Sequence, residues 1–283
     1  MTTDRVPPRR AVFLDVDGTY AHHGVVPPGH ADAVRAARAA GHRVLLCTGR
    51  PRSMLPPRIL EAGFDGLVAG AGAYVEVDGE VLVDQRFPAD VAARVLRTLD
   101  EHDVAYLLEA PEALHGLPGV DVRLRRLLAG RLGRREHRPA DQDGPVDILA
   151  ALRMSEDLTT TPFGKVTYFE SPLPGPALVE AIGAEVGVLP SSVPGLGESS
   201  GEIYLRGVHK AVGIETVVTH LGVAREDVVA VGDGLNDVEM LAWAGVGVAI
   251  AGAHPDVLAV ADRVAQGPQV EGLVAAFAEL GLT

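Results

Sequence analysis

The sequence predicts an α/β fold in which a doubly wound parallel sheet is interrupted by an inserted α+β domain. Three observations carry that prediction. Short continuous apolar runs such as "AVFLDV" and "DVVAVGDG" read as strands buried on both faces. These runs alternate with stretches of helical spacing, the pattern of strand–helix–strand units that build a parallel sheet. From about residue 86 to residue 198 the texture changes, and afterwards the first texture returns.

Taken in order, "AVFLDV" is the first strand, and "PPGHADAVRAARAAG" is a helix opened by prolines and stopped by Gly41. "RVLLCTGR" is a second buried strand ending at Thr48 and Gly49, and "FDGLVAG" a third. "AYVEVDGEVLVD" reads as a hairpin with Asp78-Gly79 at its turn. Within the insertion, "PADVAARVLRTLDEHD" and "PALVEAIGAEVG" are expected helices, and "VAYLLEA" and "KVTYFES" expected strands. The core resumes with "GEIYLRG", the helix "HKAVGIETVVTHLG", the strand "DVVAVGDG" and the helix "NDVEMLAWAG". "VGVAI", "HPDVLAVAD" and an amphipathic helix "QVEGLVAAFAEL" complete it. The division expected is therefore a core of residues 1–85 and 199–283 around an insertion of residues 86–198.

Composition narrows the function classes. At 47% apolar the chain can bury a core, although with 4% aromatics Ala, Val and Leu must fill it. The net charge of -13 argues against a general nucleic-acid binder, because phosphate backbones attract basic surfaces. One cysteine, Cys47, rules out an internal disulfide and fits a reducing compartment. "MTTDRVPPRR" lacks the apolar core of a signal peptide, and no run is long enough for a membrane span. The expectation is a cytoplasmic protein without a nucleic-acid or membrane partner.

In an open parallel sheet, ligands bind beyond the carboxyl ends of the strands. Three strands end in polar residues at that edge: Asp15 and Asp17, then Thr48, then Asp233 followed by Asn236 and Asp237. Lys210 stands at the start of a helix. Carboxylates gathered so closely repel unless a cation lies between them, and hard oxygen donors favour Mg2+. With that charge in place, a carboxylate in line with phosphorus can attack a phosphate ester and form an aspartyl-phosphate. A second aspartate two residues on can serve as general acid and then base. Gly18 lets the chain turn so that both side chains meet one ligand. Thr48 and Lys210 would hold the phosphoryl oxygens.

"DVDGTY", "TGR", the lysine of "RGVHKAVG" and "GDGLNDVEML" together resemble the four motifs of the haloacid dehalogenase-like phosphatases, whose core is Rossmann-like. The tail "GVGVAIAGAHPDVLAVAD" is similar to that of the Cof-type branch, subfamily IIB with a C2 cap. The resemblance implies that Asp15 is the nucleophile and Asp17 the acid/base. Thr48, Gly49, Lys210 and Asn236 would bind phosphate. Asp15, Asp233 and the backbone carbonyl of Asp17 would hold Mg2+, with Asp237 in support. It implies a hydrolase of small phosphorylated metabolites, sugar phosphates among them. The interval from Asp17 to Thr48 has no room for a domain whereas that from Thr48 to Lys210 does, so the cap falls in the second.

Two positions depart from the family pattern. Ala71 in "GAGAY" and Gly252 in "AGA" stand where relatives often carry asparagine. Other groups read as structural. His22 and His23 lie in a proline-bounded loop without ligand spacing, Cys47 is a buried thiol, and Trp243 is a core residue. The basic run from Arg123 to Arg138 is a solvated face, with one or two arginines as alternative substrate contacts. Two rival functions remain open at this level: a sugar phosphomutase, and a non-catalytic module that binds Mg2+ and phosphate.

Overall fold

The computed structural model describes residues 9–132, 144–191 and 199–283. Strand β1 (Ala11–Leu14) is buried at all four residues, as its apolar run requires. Helix α1 (Pro28–Ala39) carries Pro28 in its first turn and buries His30, Ala33, Val34 and Ala37, one face at i, i+3, i+4, i+7 spacing. There follow β2 (Arg43–Cys47), the short α2 (Pro57–Leu60) and β3 (Gly66–Ala69). Then come β4 (Tyr74–Val77) and β5 (Glu80–Asp84), joined by Asp78-Gly79 with both φ angles positive. That is the geometry a two-residue hairpin turn of the primed type demands.

The second stretch comprises α3 (Ala89–Glu101), β6 (Ala105–Glu109), β7 (Leu114–Gly116) and α4 (Val120–Leu132). After it come α5 (Gly144–Ala151), β8 (Leu152–Met154), β9 (Lys165–Phe169), α6 (Gly175–Ile182), β10 (Val186–Pro190) and β11 (Gly201–Leu205). The chain ends with α7 (Lys210–Leu221), β12 (Val228–Gly232), α8 (Val238–Trp243), β13 (Val246–Ile250), α9 (Pro255–Val260), β14 (Arg263–Ala265) and α10 (Gly272–Glu279).

Eight strands form one sheet in the order β14-β13-β12-β1-β2-β3-β4-β5, parallel from β14 to β3 and antiparallel beyond. Helices α1, α2 and α10 pack on one face, and α7, α8 and α9 on the other. Because β1 lies between β2 and β12, the chain runs outward on one side and returns on the other. The crevice at that switch point is where open α/β sheets bind ligands.

A second, mixed sheet has the order β10-β11-β9-β6-β7-β8. Helices α3 and α6 cover one of its faces, and α4 and α5 cover part of the other. Strand β11, "GEIYL", was grouped with the core by the sequence reading, but it hydrogen-bonds between β10 and β9 in this second sheet. The expected helix "PALVEAIGAEVG" stops at Ile182. Gly183, at φ 136°, turns the chain so that Val186–Pro190 runs as a strand. The three-residue strands β7, β8 and β14 escaped the sequence reading because so short a run carries no period.

His30 ties the core together near the site. Its Nδ1 lies 3.0 Å from the Tyr20 carbonyl, and its Nε2 accepts from the Leu273 amide at 3.1 Å, satisfying an orphan donor in the first turn of α10. This pattern needs the neutral ring with the proton on Nδ1, and burial holds the histidine below its usual range. In the unfolded chain it would titrate near about 6.5 and bind a proton that the folded chain refuses. Stability that His30 contributes is therefore present above that value and is lost as pH falls below it. Thermal melts between about pH 7.5 and about pH 5.5 should show a drop in Tm that a His30→Gln variant does not share in full.

Candidate active site

The turn after β1 is fixed by its own backbone. The Asp15 amide donates to the Val231 carbonyl at 2.9 Å, Gly18 N to Ala21 O at 2.9 Å and Tyr20 N to Asp15 O at 3.1 Å. Gly18 sits at φ 92°, and a Cβ there would come within 2.2 Å of Asp233 Oδ2, so any side chain would be strained and would push the Asp233 carboxylate aside. Thr19, fully buried, donates its hydroxyl to Asp233 Oδ1 at 2.6 Å. The threonine of "DVDGT" thus orients the carboxylate of a distant motif, a role the sequence reading did not assign.

Lys210 opens α7 and is buried completely. Its ammonium donates to Asp15 Oδ1 at 2.6 Å and to Asp237 Oδ1. Burial alone would lower its proton affinity, but Asp15 and Asp237 outweigh that and hold it firmly charged. Asp237 is saturated, since its Oδ2 also accepts from the amides of Asp233 at 3.0 Å and Gly234 at 2.8 Å. It shapes the loop after β12 rather than facing a ligand. Burial, with Asp237, Asp233 and Asp17 adding to it, pushes Asp15 well above the ordinary carboxylate range despite Lys210. Asp233 is pushed up to about 6, chiefly by burial and against the Thr19 hydrogen bond.

Thr48 and Gly49 follow β2 into the same crevice. The Thr48 hydroxyl accepts from the Arg50 amide at 3.1 Å, and a Cβ on Gly49 would stand 3.0 Å from Asn236 Nδ2. Arg50, the arginine of "TGR", is buried and grips both oxygens of Asp17, Nε to Oδ2 and Nη2 to Oδ1, each at 2.6 Å. From the second sheet's side, Asp147 on α5 accepts from Arg50 Nη1 at 3.1 Å, and Arg58 Nη2 contacts both Asp147 oxygens at 2.7 Å. Lys165 on β9 donates to the Gly49 carbonyl at 2.7 Å and to Glu202 Oε2 at 2.8 Å, with Glu109 Oε2 at 3.2 Å. The sequence reading missed Arg50, Asp147 and Lys165. Only Arg50 carried a signal, its place directly after the threonine and glycine.

Carboxylate oxygens of Asp15, Asp233 and Asp237 lie within 4.8 Å of one another. Asp237 is committed to Lys210 and two amides, and Oδ1 of Asp15 and of Asp233 are committed to Lys210 and Thr19. Oδ2 of Asp15 and of Asp233 remain for a cation. An all-oxygen donor set of like charges fits a hard divalent ion.

The remaining expectations fall away from this crevice. His22 Nδ1 lies 3.2 Å from Gln269 Nε2, and neither His22 nor His23 belongs to a metal-ligand cluster among the described residues. Burial pushes the Cys47 thiol far up, which makes it inert. Trp243 packs against the core under the guanidinium of Arg225. Arg123 is tied to Glu170 and Asp103, Arg125 stands beside Asp121 on the solvent side, and the side chains from Arg131 to Arg138 lie outside the described residues. Both departures from the family pattern have left-handed backbone: Ala71 at φ 56° and Gly252 at φ 86°. Asparagine tolerates that conformation; glycine meets it freely and alanine under strain.

A family model described as haloacid dehalogenase-like hydrolase matches residues 12–277. Among curated relatives, "Putative phosphatase YkrA" of Bacillus subtilis is 26% identical over 285 residues, covering 96% of this chain and 98% of that one. A solved structure of a hypothetical protein from Geobacillus kaustophilus superposes with a TM-score of 0.79 at 25% identity, covering 98% of this chain and all of the other. The HAD subclass IIB sugar phosphatase BT4131 superposes at 0.78 with 22% identity, over 97% of this chain and 100% of its own. The second sheet corresponds to the cap domain of such subclass IIB structures. No helix among the described residues is long and apolar enough to cross a membrane.

Lys210 is the group whose loss the site tolerates least. Lys210→Met keeps the stem but leaves Asp15 and Asp237 buried without their cation, at a cost of about 3–5 kcal/mol. Denaturant unfolding should show that loss alongside loss of turnover.

Proposed function

The chain belongs to the haloacid dehalogenase-like hydrolases, and on that premise we propose a Mg2+-dependent phosphomonoesterase that hydrolyses small phosphorylated metabolites through an aspartyl-phosphate. The observation that carries the reading is the state of Asp15, buried, with one oxygen held by Lys210 and its carboxylate gathered with those of Asp233 and Asp237 within 4.8 Å. Asp15 Oδ2 and Asp233 Oδ2, with the backbone carbonyl of Asp17, would hold the Mg2+. When bound, the ion supplies positive charge that neutralises the phosphate and lowers the barrier to anionic attack.

In the first half-reaction a carboxylate oxygen of Asp15 forms a bond to phosphorus as the ester P–O bond breaks. The leaving oxygen takes a proton from Asp17, giving free alcohol and phospho-Asp15. Lys210, the Thr48 hydroxyl, the Gly49 amide and Asn236 would hold the phosphoryl oxygens as charge shifts among them. In the second half-reaction water gives its proton to Asp17 while its oxygen bonds phosphorus. The Asp15–phosphorus bond then breaks, inorganic phosphate leaves and Asp17 is again protonated.

The Asp17 side chain is 53% exposed, so water reaches it, and this supports hydrolysis over the water-excluding chemistry of a mutase. We place the cap between β5 and α7, where its polar face of Glu109, Lys165 and Glu202 looks toward Gly49. Such a lining suits a hydroxyl-rich leaving group, and a sugar phosphate is the first substrate to try. The single buried cysteine fits a cytoplasmic enzyme.

Asp15→Asn should lower phosphate release by at least about 10³-fold, measured on a panel of phosphorylated metabolites with Mg2+; near-parental turnover refutes the reading. Release of inorganic phosphate, rather than an isomerised sugar phosphate, separates hydrolase from mutase. Added Mg2+ should raise the Tm of the parent chain and leave that of Asp233→Asn unchanged.

A further inference from the structure

Asp17 poses a positioning problem. Its side chain is 53% exposed, and a half-exposed carboxylate samples several rotamers unless something holds it. What holds it is Arg50, whose guanidinium is 8% exposed and places Nε and Nη2 on the two oxygens at 2.6 Å each. A planar fork against a carboxylate fixes direction as well as distance. Each oxygen keeps a lone pair on its open side, where a proton can reside and be handed over.

Arg50 is in turn fixed at its far end. Nη1 donates to the Met54 carbonyl at 3.2 Å and to Asp147 Oδ2 at 3.1 Å. Asp147, 7% exposed, has both oxygens on Arg58 Nη2 at 2.7 Å, and Arg58 Nε donates to the Gly24 carbonyl at 3.1 Å. Charges alternate along the chain Asp17, Arg50, Asp147, Arg58, and its third member comes from the cap. Remove Asp147, and a buried guanidinium loses one of the two partners that set its plane.

We propose that Arg50 is the positioning residue for the acid Asp17, and that Asp147 on the cap completes its alignment, so that docking of the cap readies proton delivery to the leaving oxygen. This inference rests on the reading of Asp17 as general acid. An alkoxide must be protonated as it departs, whereas para-nitrophenolate leaves without help. A defect in the aim of the acid therefore shows on alkyl esters alone.

The test compares kcat/KM, which reports the first half-reaction, on glycerol phosphate and on para-nitrophenyl phosphate in Mg2+. Misplacement of a reacting group costs on the order of 10²-fold. Arg50→Met should lose about that much on the alkyl ester and Asp147→Asn about tenfold, while both change by less than about threefold on the aryl ester. The loss should lie in kcat more than in KM. Arg50→Lys should not restore it, because an ammonium cannot form the fork. The double variant should lose no more than Arg50→Met alone, since both act through one chain of contacts.

Asp147→Asn is nearly isosteric, so it keeps the test informative if Arg50→Met does not fold. Equal losses on the two esters, or an Asp147→Asn enzyme indistinguishable from the parent, overturns the proposal. Asp17→Asn separates the two levels. If it loses far more on the alkyl ester while the Arg50 and Asp147 variants do not, the positioning role alone falls. If Asp17→Asn itself loses equally on both, the acid assignment falls and the proposal with it.

Discussion

Everything at the carboxyl edge of the core sheet answers to the mutual repulsion of Asp15, Asp17, Asp233 and Asp237. Two side chains oppose it directly: Lys210 between Asp15 and Asp237, and Arg50 on Asp17. Four carboxylates against two cations leave the crevice two positive charges short, which is the charge of one divalent ion. Burial raises the proton affinities of Asp15 and Asp233, and the neighbouring carboxylates add to it. Lys210 and Arg50 are not interchangeable here. A compact ammonium can sit between two carboxylates, while a fork can aim one.

The core and its site were legible because buried parallel strands declare themselves as uninterrupted apolar runs. "AVFL" and "VVAVG" are buried at every residue, and no polar partner within the run obscures them. Once such strands are recognised, residues just beyond them must lie along one sheet edge, so spacing in sequence becomes proximity in space. Asp15, Thr48 and Asp233 were therefore readable as neighbours, although Asp15 and Asp233 are far apart in the chain. Backbone conformation was less visible. Ala71 and Gly252 looked like lost asparagines, whereas what the fold asks of both positions is a left-handed residue.

The cap was harder to read for a different reason. Its sheet is mixed and presents polar side chains such as Glu109, Lys165, Thr167 and Glu202 where a simple pattern expects apolar ones. Lys165 sits between the carboxylates of Glu109 and Glu202, and the Thr167 hydroxyl donates to Glu109 Oε1 at 2.5 Å, so the buried charges are paired without any signature in sequence. Strand β11 was grouped with the core because it leads directly into the helix that bears Lys210; contiguity in the chain misled where hydrogen bonding decides. The Arg50–Asp147 contact joins residues 97 positions apart, and nothing near Asp147 marks it.

Two of the ties between cap and core land on consecutive residues, Lys165 on the Gly49 carbonyl and Asp147 on Arg50. A polar tie suits such a place better than an apolar one. Buried ion pairs recover in Coulomb attraction about what they cost in desolvation, so their net adhesion is small while their demand on geometry is strict. An apolar seam of the same size would hold more tightly and orient less. A cap that admitted substrate and released product would need the first combination, since lid opening sets the pace of many enzymes. The same contacts fall on the loop that would hold the phosphoryl group and on the arginine hydrogen-bonded to both oxygens of Asp17. In the arrangement seen, the cap cannot seat these ions without also setting the groups they touch.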